Sequence, residues 1–522
     1  MLASFGSSLT PLAQAAPADG AGYKDFRYTD VDSTGVDRTD ASGREVAGPT
    51  SEKPQSKLWF NDGTWWGVLF NPDGPGDGAY EIYRYDRADQ AWITTGTLVD
   101  ERNDSRADAL WDGGAGKLYV ASSGPKSADA ATDETNRGTF SSYSYDAASD
   151  TYTPDSEPIP VTDGGVEALV LERDTTGQFW VTFTRNSKVR VNRSLDATGA
   201  NWGTPFILQV NGAGNLTSDD ISSIISFDGK IGVMWSNQTD NTVRFATHAD
   251  SNDDDTVFAE GPTPINRPNG ADDHINLKSL QADASGRVVA AVKTSETAQD
   301  APLTLLLVRN QDGTFEEHTF GTVADDHTRP IVLIDQQNSD LYVFAAAPTG
   351  GGTIYYKKTS LSNISFEPGR GTPFIQSSND TDIDDATSTK QNLNGTTDLL
   401  VLASDRNTDS YFHNYLDLAG TANTRPTITN VRPAPGSRTR DNTPVISATV
   451  RDAQTELGED DVSLFVDDKQ IGRDRFVYDP DTDRLRYRSS KLSRGVHRVK
   501  FTATDDQGLT ASKISSFRVV RR

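Results

Sequence analysis

Two histidines occupy the same slot of two related segments, His274 after Asp272-Asp273 and His327 after Asp325-Asp326, 53 residues apart. Imidazole titrates near neutral pH, so each is a candidate general acid or base. A cation follows each histidine by a few positions, Lys278 and Arg329, and Lys390 and Lys57 hold comparable places elsewhere in the chain. Four such cations around one site would hold a carboxylate or a sulfate. Once the charge of a uronate is neutralised, the carbon beside it becomes acidic and a histidine can remove its proton. Asp273, Asp326 and Asp385 offer a second chemistry, in which two carboxyl groups placed across a glycosidic bond break it.

The elements that must position these groups are written in a repeat. Acidic pairs stand at Asp219-Asp220, Asp272-Asp273, Asp325-Asp326 and Asp384-Asp385, in steps of 53, 53 and 59 residues. After each comes an apolar strand, a short polar turn and a second apolar strand, with room for two more strands before the next pair. A four-stranded period of that size is the signature of a β-propeller blade. Extended toward the N-terminus, the pattern counts seven blades, with inner strands beginning at Ser56, Ala107, Val166, Ile221, Ile275, Arg329 and Thr387; a misread hairpin makes it six or eight. The last blade lacks a fourth strand before Thr424-Arg425-Pro426, and a closed ring leaves no free sheet edge, so the patch Tyr23-Lys24-Asp25-Phe26-Arg27-Tyr28 is expected to supply it. In such a ring the acidic pairs and the cations after them converge on one mouth of the central channel.

A structural reading competes with the chemical one. An Asp at the head of an inner strand accepts backbone N–H groups at a blade junction, and a Lys or Arg of the next blade neutralises it. Repetition favours this reading, because a catalytic group is needed once and a junction everywhere. The histidines, in only two neighbouring blades, stand apart from that logic. His248, His318 and His497 read as surface residues, and His413, in Tyr411-Phe412-His413-Asn414-Tyr415, as structural. Trp65, Trp66 and Trp111 serve either as sugar-stacking platforms or as core. The chain requires no cofactor; calcium is the ion that the alternating carboxylates of Asp30–Asp37, Asp250–Asp255 and Asp479–Asp483 would take, although such runs also make ordinary solvated turns.

Composition agrees with an all-β chain. Of 522 residues 35% are hydrophobic, there are 43 glycines, and no window sustains a helical period. Without a single cysteine, disulfides, thiolate metal sites and cysteine nucleophiles are excluded. Residues 1–17 read as the remnant of a signal peptide or as a disordered terminus, 18–50 as a segment that closes the ring, 51–422 as the propeller and 423–522 as an immunoglobulin-like sandwich of about a hundred residues. Residues 425–522 carry 19 Lys and Arg against 14 Asp and Glu, whereas the rest carries 31 against 61. That acidity argues against nucleic acid as a partner. No stretch is long and apolar enough for a transmembrane segment, and the oligomeric state is unknown from sequence.

The stretch Ser194-Leu195-Asp196-Ala197-Thr198-Gly199-Ala200-Asn201-Trp202 resembles the Asp-box (BNR repeat) of sialidase-like propellers, with one residue inserted before Gly199; Thr359–Phe366 is a decayed version. In that family the box is a structural turn. Asp272–Thr294, Gly321–Pro348 and Ile354–Asp405 resemble secreted bacterial propeller proteins with DDH-type repeats, and Gly495-x-His497-x-Val499 with Ala503-x-Asp505-x-x-Gly508 is similar to bacterial Ig-like domains. The resemblance implies architecture and location rather than an activity. Together these readings lead to a secreted or cell-surface protein that recognises an extracellular polysaccharide or cell-surface glycan, as a lyase, a glycosidase or a binder. The rival is a non-enzymatic adhesion scaffold. Other catalytic signatures, the Gly-x-Ser-x-Gly elbow, the phosphate loop and His-Glu-x-x-His, are absent from the sequence, and whether the chain is an enzyme stays open.

Overall fold

The computed structural model describes residues 16–17, 20–28, 48–76, 78–124, 133–279, 286–418, 425–452, 457–505 and 509–521. The Asp30–Asp37 run and nearly all of residues 1–17 lie outside them. The chain divides into two compact units, Met1–Leu418 and Ala419–Arg522. Both are all-β, with only single-turn 3-10 segments among the described residues.

Among the described residues the first unit is a succession of seven antiparallel sheets, six of them with strands in chain order. Their first strands are Leu58–Asn61, Arg106–Asp112, Val170–Arg173, Ser222–Phe227, Ile275–Ser279, Thr328–Asp335 and Ile383–Thr387. Local chemistry sets the hairpins. In the first and fourth sheets the first two strands are joined by Asp62-Gly63 and Asp228-Gly229, with φ of 49° and 78°, and 46° and 65°. Positive φ at both positions is what a two-residue hairpin matching strand twist demands, and Asp-Gly meets it at least cost. Second strands such as Phe179–Arg185 and Leu399–Asp405 are buried along their whole length, which is why they read as mainly apolar strands without a polar face.

The seventh sheet takes its outer strand from the N-terminus. Tyr23–Arg27 pairs antiparallel with Ser410–Leu416, Tyr23 opposite His413 and Lys24 opposite Phe412. The first strands adjoin in cyclic order. Ala109 N–H donates to Ser56 O (2.7 Å) between sheets one and two, Leu171 N–H to Asp108 Oδ2 (2.7 Å) between two and three, and Val332 N–H to Asn276 Oδ1 (3.2 Å) between five and six. Leu58 N–H donates to Ser388 O (3.0 Å), joining the seventh sheet to the first. The core is divided accordingly. Tyr119, Phe140, Phe179 and Phe183 fill the space between sheets two and three, Trp180, Ile231 and Trp235 that between three and four, and Leu306, Val332 and Val343 that between five and six. Sheets six, seven, one and two share one aromatic-rich cluster around Trp59, Trp66, Tyr83 and Phe412. This radial arrangement is that of a β-propeller.

Of the two readings of the tryptophans, Trp65 and Trp66 follow the core one, and Trp111 packs edge-on against Tyr145 and Tyr152. Two histidines sit elsewhere than the sequence reading placed them. His248 is not a surface residue: its ring lies 4.9 Å from Trp180 and Nδ1 meets Val257 O. His497 is likewise buried, with Nδ1 2.7 Å from Asp467 Oδ2. The turn at Ser194–Trp202 is held by Asp196, which accepts from the N–H groups of Thr198, Ala200 and Asn201, while the Trp202 ring lies 5.3 Å from Phe140.

The second unit consists of two sheets around one core. Thr427–Arg432, Val445–Arg451, Arg484–Arg488 and Val477–Asp479 form one sheet; Arg438–Thr439, Thr510–Val519, Gly495–Thr504, Val462–Val466 and Lys469–Gln470 form the other. Ile446, Leu464, Leu485, Phe501 and Phe517 lie between them.

Candidate functional site

The four acidic pairs are not equivalent. Asp220 and Asp325 close turns: Asp220 Oδ2 accepts from Thr217 N–H and Asp325 Oδ2 from Thr322 N–H, at 2.7 and 2.8 Å. The pairs at 272–273 and 384–385 instead bind cations. Asp272 meets Lys293 Nζ (2.7 Å), Asp273 meets Lys53 Nζ (2.6 Å), and both face Nδ1 of His274, Asp273 Oδ1 at 2.6 Å. His274 Nε2 reaches Thr328 Oγ1 of the next sheet (3.3 Å). With two carboxylates on Nδ1, that nitrogen must carry the proton, and the ring is locked in place. Burial opposes the charge on Asp273, but hydrogen bonding and charge from His274, and the charge of Lys53, hold its carboxyl far below the usual carboxylate range.

Arg329 spans to the last pair, NH1 2.7 Å from Asp384 Oδ2 and Nε 2.7 Å from Asp385 Oδ1. Arg329 and Asp385 have φ of 49° and 52°, and the register of each first strand shifts at that point, between Thr328 and Ile331 and between Asp384 and Thr387. These irregularities turn both side chains toward each other across the sheet junction.

A segment that the sequence reading missed ties the site together. Residues 48–57 run past the starts of the first strands, with Arg106 Nε bonded to Ser51 Oγ (2.8 Å), Thr50 Oγ1 to Ser404 Oγ (2.8 Å) and Asn276 Nδ2 to Lys53 O (3.0 Å). Lys53 Nζ lies 2.6 Å from Asp273, 3.3 Å from Glu52 and 3.8 Å from Glu167. Burial works against its charge, yet Glu52 and Asp273 raise its pKa. Glu167, Asp219 and Asp273, which precede three successive first strands, bring one carboxyl oxygen each within 4.8 Å of one another. Asp272 and Asp273 likewise bring a carboxyl oxygen each within that distance of a ring nitrogen of His274. Either trio has donors suited to a divalent cation, but the Lys53 ammonium already stands among the first. Asp219 is exposed, so this cluster has an open side. In sequence, Glu52, Lys53 and Glu167 carry no motif; the one signal was their position just ahead of first strands.

Deeper along the first strands lies a layer of lysines. Lys57 and Lys278, expected to hold an anion at the mouth, are buried: Lys57 Nζ donates to Gln55 Oε1 (2.8 Å) and Ala107 O (2.6 Å), and Lys278 Nζ to Asn276 Oδ1 and Leu277 O (both 3.2 Å). Burial, with the charge of Arg106 for Lys57 and of Lys390 for Lys278, pushes each down to about 7. Lys390 is ion-paired to Asp108 Oδ2 at 2.7 Å. Lys278 lies on the first strand of the fifth sheet, Lys57 just ahead of that of the first and Lys390 just past that of the seventh, and facing carbonyl, amide and carboxylate oxygens take them up.

The structure therefore brings Asp273, His274, Arg329 and Asp385 to one end of the first strands, and Lys57, Lys278 and Lys390 below them. It does not bring His327 and Asp326 to that group. Asp326 caps the 3-10 turn Val323–Asp325 with φ of 60°, and His327 packs on Phe320 (4.8 Å) with Nε2 on Arg370 O (3.0 Å). Burial pushes His327 down to about 4. The equal slots of His274 and His327 in the sequence are thus unequal in space.

No family model and no curated protein matches the chain. Solved structures that it is similar to include the polysaccharide lyase Uly1, at 10% identity over 78% of this chain and 100% of that one, with a TM-score of 0.44. An ulvan lyase described as a new family of polysaccharide lyase, PL25, matches at 10% identity over 71% and 94% with a TM-score of 0.46. A variant of the NanB sialidase from Streptococcus pneumoniae matches at 12% identity over 56% and 48% with a TM-score of 0.31.

Proposed function

We propose that the chain is a secreted or cell-surface glycan-recognising protein, built as a seven-bladed propeller followed by an Ig-like sandwich, and that it takes sugar at the end of the ring where Glu167, Asp219 and Asp273 converge. The observation that carries this reading is the convergence of three carboxylates from three successive sheets around Lys53, with Asp219 open to solvent. Ionised carboxylates are strong paired acceptors for sugar hydroxyls, and an ammonium among them adds a donor. This favours a hydroxyl-rich sugar over an anionic one. The lysines that a lyase would need to hold a uronate are committed to internal partners. The His274 imidazole is clamped between Asp272 and Asp273, which suits a positioning role better than proton abstraction.

The second reading, an interaction scaffold without enzymatic activity, is favoured by the closed ion pairs of Arg329 with Asp384 and Asp385. Arrays of neutral and acidic glycans, with wild type and Asp219→Asn, separate the two. Binding of a neutral glycan that falls at least about tenfold in the variant, with an unchanged melting temperature, supports the sugar site. If the wild type retains no glycan, and releases no unsaturated uronate from acidic polysaccharides, the scaffold reading stands instead.

A further inference from the structure

The second unit carries a surface whose composition differs from everything else on the chain. In the strand Arg484-Leu485-Arg486-Tyr487-Arg488 the leucine and tyrosine are buried and the three arginines exposed. The pairing register extends that outer face across the sheet. Arg486 lies opposite Ser447, which lies opposite Arg432; Arg484 lies opposite Thr449; and Arg451, on the strand of Ser447 and Thr449, lies opposite Thr427. Arg432 and Arg451 are exposed. Ser447, flanked by two arginines, is 4% exposed although it belongs to the outer face. Successive outward residues of a strand are about 6.8 Å apart and neighbouring strands about 4.8 Å, so five guanidinium groups share one patch of a single sheet.

Among the described residues none of these five arginines lies in an ion pair, and Asp479, opposite Arg484, is the one acidic residue paired on that face. In the first unit, by contrast, arginines such as Arg173 and Arg329 are ion-paired, with Asp112 and Asp384. The contrast is also one of net charge: residues 425–522 carry 19 basic against 14 acidic side chains within a chain of net charge −25. Guanidinium is weakly hydrated, always charged, and presents a planar fork that fits carboxylate and sulfate oxygens two at a time.

We propose that the outer face of the Thr427–Arg432, Val445–Arg451, Arg484–Arg488 and Val477–Asp479 sheet is a docking surface for a polyanionic polysaccharide, sulfated or carboxylated, distinct from the sugar site of the first unit. A row of forks spread over one sheet face suits an extended polymer better than a small ion. Nucleic acid fits less well. The outward residues of the four strands are Arg, Thr, Val, Ser, Asn and Asp, and the two tyrosines of the sheet, Tyr478 and Tyr487, are buried, so among the described residues of the four strands no ring is available for base stacking.

The test uses the full-length chain and dextran sulfate, with uncharged dextran and duplex DNA as comparison ligands. Binding to dextran sulfate that weakens steeply with added salt, and that falls at least about tenfold in R484Q/R486Q/R488Q, is the expected result. The separate pair R432Q/R451Q, on neighbouring strands, weakens it as well, whereas K469Q/K513Q on the opposite sheet leaves it unchanged. All variants should keep the wild-type thermal transition, since the altered side chains are exposed. Absence of binding at low salt, binding by both arginine variants equal to that of the wild type, or tighter binding of DNA than of dextran sulfate overturns the proposal. Equal retention on uncharged dextran does so too.

Discussion

Arg329 of the sixth sheet is ion-paired to Asp384 of the seventh at 2.7 Å, and its Nε lies 2.7 Å from the adjacent Asp385. Burial and the neighbouring Asp385 push the Asp384 carboxyl up, against the pull of Arg329. Removing the arginine takes the nearer cation from two neighbouring buried carboxylates and leaves Asp384 the more distant Arg406, at 3.4 Å. Arg329→Met should therefore cost about 3–5 kcal/mol in urea unfolding near neutral pH. The sign of its pH dependence follows. A carboxyl whose folded pKa lies above its unfolded value binds its proton more tightly when folded, so stability is lost as pH rises between the two. The deficit should be smaller near pH 5 than near pH 7.5, and adding Asp385→Asn should recover part of it. A deficit independent of pH would show that the pair does not carry the junction.

Lys57 and Lys278 make the opposite prediction. Each is pushed down to about 7 by burial, against about 10.4 in an unfolded chain. Over that window the unfolded chain binds more protons, so stability rises with pH. Chemical unfolding of the first unit should show a gain of several kcal/mol between about pH 7 and about pH 9, below the range of the tyrosines. Lys57→Met should remove about half of the gain. A flat profile for wild type would mean that both ammonium groups remain charged in place.

How far the sequence carried this picture depends on the distance between the groups concerned. The hairpins at Asp62-Gly63 and Asp228-Gly229 are local chemistry, and so is the recurrence of acidic pairs ahead of the first strands. The pairing of Tyr23–Arg27 with Ser410–Leu416 spans nearly 400 residues, but it follows from the need to cover an edge. The site was harder to read. A two-residue period says that Lys57 and Lys278 face inward without saying what faces them. His274 and His327 share a motif, yet a left-handed Asp326 behind a 3-10 turn sends His327 to Phe320. Arg329 finds Asp385 through irregularities in two strands, which no residue pattern announces. Lys53 sits in a short stretch without periodicity, and its role comes wholly from what the ring brings around it.

Lys53 bears on the question of calcium. Its ammonium lies within 4 Å of Asp273, Glu52 and Glu167, where a bound cation would balance the same charges. Millimolar calcium should leave the melting temperature of the wild type unchanged. Lys53→Met should lower it by several degrees, because three carboxylates then repel one another at low solvent exposure. Calcium should restore much of that loss in the variant, as oxygen clusters of this kind bind it in the millimolar to submillimolar range. Stabilisation of the wild type by calcium, with no effect in the variant, would place the ion elsewhere.

The last prediction concerns closure of the ring. Asp25, on the N-terminal strand, is buried and lies 2.8 Å from Nδ1 of His413, whose Nε2 is 2.9 Å from the Tyr85 hydroxyl of the first sheet. Tyr23 stacks on the same imidazole at 5.1 Å. Burial raises the Asp25 pKa and His413 opposes that rise, so the carboxylate is held by this one histidine. Asp25→Ala leaves the imidazole without its partner in a dry site and should cost about 3–5 kcal/mol, while Asp25→Asn, which keeps an acceptor, should cost less. The loss should be local before it is global. Trypsin should cut after Lys24 or Arg27 in the Ala variant under conditions where the wild type resists, and the amides of Tyr23–Arg27 should exchange ahead of those of Leu399–Asp405. Wild-type resistance to trypsin in Asp25→Ala would show that backbone pairing alone keeps the strand in the seventh sheet.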